Sequence, residues 1–446
     1  MKNWTLLTLF LLAGTKAVLA QDTIPITFDE AIAIGLEQNL DYATQKNQQK
    51  VLTMSRVNAR LRHLPSVNIN TNLNRQVGQQ FQQVEGQLIV TNQINDILSS
   101  GLSARIPVFH GFQRLHETKA AGFFEAAGEK ALARAKEELS FTIAQQYLQV
   151  LLDEQLHAIA TENLKNQKSQ FAQIKGFVEA GLRTLSDQYN QQSEVARLET
   201  VALNAKVQWE TDLWALAETL QFESNRLPLP EPVPLDQNHS EWLEMEPQEV
   251  YEQALLYRSD LKEQQLLEQG NQRLLAAAKG TMYPQLSAFF NYNTFFTSLD
   301  ERTIGDQLLM VYPQRIFGFS LSIPVFNNFD NKTAVTRARV NRINQQLENT
   351  ALERKIFQEV KLALENFKAA IQTRASTEMQ LKAAQEAQKA ISERFRLGVS
   401  NFVDLAQANE QLVTAQSDHV QAAYTLFFQK IILKYALGLL AEDLHP

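Results

Sequence analysis

The 446-residue chain contains no cysteine, which removes disulfides, thiolate metal sites and cysteine nucleophiles from consideration. Glycine (16) and proline (12) are both scarce, so long regular elements are expected rather than a loop-rich globule. No segment after the N-terminus reaches the ~18 consecutive apolar residues of a transmembrane helix. The net charge is −7 with no basic block, which speaks against nucleic acid as a partner. The histidines (His63, His110, His116, His157, His239, His419 and His445) are scattered, and none has an i, i+4 partner for a metal. No phosphate loop or nucleophile elbow occurs either. An enzyme is not expected, and no cofactor or metal is called for.

What is present starts with a secretory pattern: Lys2, the apolar stretch Trp4 to Ala13, and Val18-Leu19-Ala20 before Gln21. Residues 1–20 are expected to be a signal peptide, their apolar run being too short to cross ~30 Å of hydrocarbon. Any membrane insertion by the exported chain must then use strands.

Thr27-Phe28-Asp29-Glu30 has the spacing of a capping box. It predicts a helix running to about His63, ended by Pro65. The period then changes to two. Val67, Ile69, Thr71 and Leu73 alternate with Asn68, Asn70, Asn72 and Asn74, which predicts a strand over about 66–76 with one apolar and one polar face. A polar, Gln-rich loop to about Leu98 and a second strand over about 99–109 follow. A helix from Gly111 to about Ala180 carries a narrow stripe of Leu148, Leu152, Leu156 and Ile159. Its ~70 residues would make a rod of ~100 Å. A return helix runs from about Leu185 to Phe222. Pro228, Pro230, Pro232 and Pro234 then mark an extended linker, 223–247.

The plan then repeats. Asp260 and Pro284 follow Asp41 and Pro65 by 219 residues, and Ile323-Pro324-Val325-Phe326 follows Ile106-Pro107-Val108-Phe109 by 217. Gly398 follows Gly181 by the same 217. The chain is thus an internal duplication, with a first repeat at 21–222 and a second at 248–446. The second copy predicts strands over about 285–297, which places Asn291 and Asn293 on the polar face, and about 314–326. Each copy reads helix, strand, loop, strand, long helix, tip, helix. The tips are Gly181 to Asp187 and Gly398 to Asp404, where a glycine turns the chain and Thr184–Asp187 or Asn401–Asp404 has the spacing that caps the next helix.

Four strands cannot close a barrel, and open edges are not tolerated in lipid. Three copies would supply twelve strands, an even number suited to a membrane barrel. Apolar faces would then meet lipid, and the asparagines would line a wet lumen. The fold class expected is therefore an α+β membrane protein: duplicated helical coiled-coil hairpins and four transmembrane strands per chain, joined into a trimeric barrel continued by an α-helical one. The alternative is a soluble periplasmic coiled-coil adaptor or scaffold, which explains the rods but not the alternating strands.

Thr27-Phe28-Asp29-Glu30-Ala31, Arg258-Ser259-Asp260-Leu261, both Ile-Pro-Val-Phe strand ends and the two tips, in this order and spacing, resemble the TolC-type outer-membrane efflux protein family. The resemblance covers essentially the whole mature chain. It implies a trimeric channel in the outer membrane of a Gram-negative cell, closed at rest at its periplasmic end. The implied partners are a periplasmic adaptor and an inner-membrane pump or exporter. It further implies that Gly181, Leu182, Gly398 and Val399 contact the adaptor, and that Asp404 faces the constriction as one of a ring of carboxylates. The chain departs from the family pattern at Gln407, where a second acidic ring is expected, and at Ser400, where a basic latch residue is expected. A weaker electrostatic lock follows, with Phe402 and Leu405 adding an apolar constriction. For the tips the turn role and the docking role both stand, and for Asp404 the cap and the gate. Drug, metal, peptide and protein cargo are all compatible with such a duct.

Overall fold

The computed structural model describes residues 22–84, 86–223, 226–234, 242 and 245–440. The expected signal peptide lies outside the described residues. The chain divides into two compact units. The first comprises Met1–Ala43, Lys136–Ala254 and Glu359–Pro446, the second Thr44–Ala135 and Leu255–Gln358. Each unit therefore draws on both sequence repeats.

The chain opens with strand β1 (Asp22–Ile26) and helix α1 (Phe28–Gln38). The capping box forms: Thr27 N donates to the Glu30 carboxylate at 2.9 Å, and Glu30 N donates to Thr27 Oγ1 at 3.3 Å. The single helix expected up to His63 is in fact broken. Asn39 takes extended backbone (φ −62°, ψ 127°), and its side-chain oxygen accepts from Tyr42 N at 3.0 Å to start α2 (Leu40–Leu61). The second copy breaks at the matching residue. Arg258 (φ −60°, ψ 120°) separates α5 (Pro247–Tyr257) from α6 (Ser259–Gly280). Here a buried guanidinium stands in place of the asparagine cap, with Arg258 Nε 3.0 Å from Asp260 Oδ1. The duplication kept the backbone and changed the chemistry that holds it.

In the first unit, the C-terminal part of α3 (Gln113–Glu179) packs against the return helix α4 (Leu185–Thr219). Ile143, Tyr147, Val150 and Leu151 are buried against Ile26, Ile32, Leu213, Leu216 and Leu220. Each large side chain so buried contributes ~1.5–3 kcal/mol. The stripe expected from Leu148, Leu152, Leu156 and Ile159 is only partly the buried one: of the four, Leu148 alone is fully buried. The start of the proline stretch is not a free linker. It forms β4 (Arg226–Pro230), which pairs in parallel with β1 from Asp22↔Arg226 to Ile26↔Pro230. Tyr147 secures this pair. Its hydroxyl lies 2.9 Å from the Ile26 carbonyl and 2.8 Å from that of Glu231, and burial pushes its pKa up to about 12.

The second unit holds a four-stranded antiparallel sheet in the order β2-β3-β5-β6, formed by Ser66–Val84, Gln87–His110, Gln285–Thr297 and Gln314–Ser322. The first hairpin is much longer than expected. The stretch read as a loop continues both strands, and Arg75–Val84 pairs with Gln87–Asp96 as a two-stranded ribbon beyond the reach of β5. Glutamine and asparagine at consecutive positions hide the period of two there. The twin Ile-Pro-Val-Phe segments also differ. In β3 the register shifts between Pro107 and Phe109, whereas β6 stops at Ser322 instead of the expected 326, because Pro324 lacks a backbone donor. Between β5 and β6, a short helix α7 (Ile304–Asp306) and a π-turn (Gln307–Val311) bring Gln307 inward. Gln307 Oε1 accepts from Thr297 N at 2.9 Å, and its Nε2 donates to the Asp300 and Arg302 carbonyls. At the junction of strands and helices, Gly111 and Gly280 meet back to back. A Cβ on either would fall within 2.1 or 2.6 Å of the other's carbonyl oxygen.

Candidate functional site

The two hairpin tips, both in the first unit, share one backbone design. In the first, Leu182 N donates to the Phe177 carbonyl (2.8 Å) and Gly181 N to that of Val178 (3.0 Å). In the second, Val399 N donates to Arg394 (2.9 Å) and Gly398 N to Phe395 (3.0 Å). These are paired Schellman closures, and both glycines have the positive φ they demand, 69° and 77°. A capping box then starts each following helix. Thr184 Oγ1 accepts from Asp187 N at 3.2 Å before α4. Asn401 Oδ1 accepts from Asp404 N at 2.9 Å before α9 (Phe402–Leu437).

Asp404 caps in the opposite direction as well. Its Oδ2 accepts from Ser400 Oγ at 2.9 Å and from Asn401 N at 3.4 Å. Ser400, where the resemblance led to the expectation of a basic latch residue, is buried and serves this carboxylate. Asp404 and Gln407 are exposed. Of the two residues expected to add an apolar constriction, Leu405 is buried and Phe402 is half-buried. Leu405 is buried with Ile174 and Phe395, and Phe402 packs on that cluster, so both cement α3, α8 (Asp330–Arg396) and α9 together. Their i, i+3 spacing puts them on the inner side of α9, whereas Leu182 and Val399 remain 70% and 67% exposed at the ends. Higher up, Asn409 links three helices, accepting from Gln388 Nε2 at 2.9 Å and donating to Gln170 Oε1 at 3.5 Å.

Sequence reasoning missed Arg183. Its Nη2 donates to the Phe395 carbonyl, and its guanidinium lies over the Phe395 ring. The residue stands inside the tip motif, but nothing in the sequence marks a partner 212 positions away.

The sheet, in the second unit, brings the predicted lumen residues to one face. Asn68 pairs with Ser103 and Ser103 with Asn291. Asn70 pairs with Gly101 and Gly101 with Asn293. Asn72 pairs with Ser99, and Asn74 with Ile97. Directly opposite residues point to the same side of a sheet, so all six asparagines share a face. Asn70, Asn72 and Asn293 line a cavity of about 380 Å³ with Tyr312, which stacks on Phe295 at 4.0 Å. The opposite face carries Val67, Ile69, Leu73, Phe317 and Phe319, exposed by 60% to 81%. Exposed apolar area on that scale requires cover. Among the described residues no helix is long and apolar enough to cross a membrane.

Duplicated helical hairpins and a four-stranded antiparallel sheet, polar on one face and apolar on the other, define the outer-membrane channel-type fold. The profile of the family "Outer membrane efflux protein" matches residues 33–220 and 250–439. The chain belongs to the outer membrane efflux protein family, which sets it in the outer membrane with its helices on the periplasmic side. It is similar to the outer membrane protein TolC of Salmonella enteritidis, 25% identical over 130 residues. That match spans 29% of this chain and about a quarter (26%) of the relative. The CmeC outer membrane channel of Campylobacter jejuni superposes with a TM-score of 0.80 at 14% identity, over 93% of this chain and 86% of that one. The open-state MtrE channel of Neisseria gonorrhoeae gives 0.75 at 20%, over 92% and 89%.

Proposed function

We propose that the protein is the outer-membrane exit duct of a tripartite efflux or secretion system. The observation that carries this reading is the sheet. Its order leaves β2 and β6 as unpaired edges, and its faces divide into six asparagines on one side and bare aliphatic and aromatic residues on the other. An open edge in hydrocarbon leaves backbone groups without partners. Three copies pairing β2 of one with β6 of the next make a closed twelve-stranded barrel with an asparagine-lined lumen. The helical hairpins then extend into the periplasm and end in the glycine-turned tips, where a periplasmic adaptor docks and beyond which an inner-membrane pump supplies cargo. Leu182 and Val399 present apolar side chains to that adaptor, Gly181, Gly398, Thr184, Asp187 and Asn401 hold the turns, and Asp404 with Gln407 faces the constriction.

The test uses purified protein in planar bilayers, with its oligomeric state read by light scattering. A trimer giving discrete ion conductance is expected. A monomer, or recovery in the soluble periplasmic fraction, would overturn the reading.

A further inference from the structure

The polar face of the sheet ends, where its strands meet the helices, in a cavity of about 690 Å³. Three arginines line it: Arg105 in β3, Arg62 just after α2, and Arg114 in the first turn of α3. One carboxylate, Glu117, shares the cavity and is already engaged. Gln113 Nε2 donates to it at 2.7 Å, and Arg62 Nη1 stands 4.0 Å away. Arg114 spends a donor on a neutral acceptor, the Arg62 carbonyl. Arg105 is exposed, and no carboxylate of the described residues lies within ion-pair distance of it. Its backbone register, Ser66↔Arg105↔Phe289, puts it on the same face as the asparagines. His110 lines the same cavity, and its Nδ1 is buried without a hydrogen-bond partner.

This arrangement has an unbalanced charge. Three guanidiniums face one carboxylate in a space that also holds serine hydroxyls from β2, β5 and β6. The partial positive charge of the α3 N-terminus at Gln113 adds to the same sign. Arginine presents a planar fork of donors matched to two oxygens of one anion. We infer that this cavity is an oxyanion-binding collar, which takes the carboxylate or phosphate groups of small, multiply charged anions moving along the polar face. The inference rests on that face being the lumen wall. In a trimer three such collars ring the barrel floor, and the cargo class they favour is anionic.

The probe is tripolyphosphate, titrated by calorimetry into the assembled, detergent-solubilised full chain at low salt. Wild type binds, and affinity falls as salt rises. Arg105→Gln weakens binding at least ~10-fold, the scale of one charge-assisted contact. Arg105→Lys, which keeps the charge but loses the fork, binds with an affinity between those of wild type and Arg105→Gln. Arg315→Gln, on the opposite face, leaves it unchanged. Absence of binding to wild type, or equal weakening by Arg105→Gln and Arg315→Gln, overturns the collar. Bilayer recordings separate the two readings. A conducting protein that tripolyphosphate does not block would end the collar and leave the channel. Binding that depends on Arg105 in a protein that never conducts would keep the site and end the lumen.

Discussion

Arg183 Nη2 donates to the Phe395 carbonyl at 3.0 Å, while its guanidinium carbon stands 4.3 Å from the Phe395 ring centroid. One side chain of the first tip therefore holds the end of α8 beside the second. Losing a hydrogen bond and a cation–π contact costs roughly 1–2 kcal/mol at a partly exposed site. Arg183→Ala should raise resting conductance in bilayers, and Arg183→Lys should recover only part of the closure, since an ammonium cannot stack as a plane. Unchanged conductance in both would reduce the contact to packing.

The observed cap and the proposed gate at Asp404 can be separated by one substitution. As the N3 member of a capping box it contributes about 1 kcal/mol to the start of α9. In the proposed trimer it would be one of three carboxylates about an axis, which would attract cations. Asp404→Ala is expected to lower the melting temperature slightly and to weaken block by divalent cations. A lower Tm with unaltered block would leave only the cap.

Nothing lies within 4 Å of a Cβ built on Gly181 or Gly398. Alanine at either therefore meets backbone strain alone, about 1–2 kcal/mol. Asparagine, which tolerates left-handed backbone, should cost less. Adaptor binding by surface plasmon resonance then discriminates. Retained affinity in Gly398→Asn marks a turn, and lost affinity at full stability marks a surface the partner must approach closely.

Asp153 is 5% exposed, and Gln149 Nε2 donates to both its oxygens at 3.2 Å. Burial first, and the neighbouring Asp212 carboxylate second, push its pKa up to about 7. Between the ordinary aspartate range and that value the folded protein holds a proton the unfolded chain has released. Stability should fall as pH rises through this window and level off above it. Asp153→Asn should raise Tm at pH 8 and leave it unchanged near pH 4. Equal shifts at both pH values would show that the carboxyl's charge is not what costs stability.

Tyr147→Phe removes the hydroxyl that ties α3 to the Ile26 and Glu231 carbonyls. A loss of about 1–2 kcal/mol is expected, together with faster proteolysis near β1 at unchanged trimer content. Unchanged proteolysis would mean that the apolar ring alone secures the strand pair.

Sequence reasoning located what short-range chemistry dictates. Both tip glycines, both following capping boxes, the asparagine face of β2 and the duplication all rest on signals a few residues long or on a repeat. The break at Asn39 was missed because an asparagine inside a helical pattern costs little, and only its backbone shows that it caps. The long ribbon was missed because Gln76 to Asn95 lacks apolar alternation strong enough to outweigh its polarity. Arg183, Asp153 and the Arg105 cavity depend on partners brought together by helix packing and strand register, which no local pattern encodes. The burial of Leu405, and in part of Phe402, was not legible for the same reason. Spacing fixes their common side of α9, but only packing decides which side is covered.

The back-to-back approach of Gly111 and Gly280 has a consequence for how the sequence can change. A larger residue at one position cannot be rescued by shrinking the other, because the other is already the smallest residue available and the obstacle is its carbonyl oxygen. The pair has no compensating route through sequence space. A saturation library selected for assembled protein should return glycine at both positions together, so the joint between strands and helices is frozen while the ribbon stays open to variation.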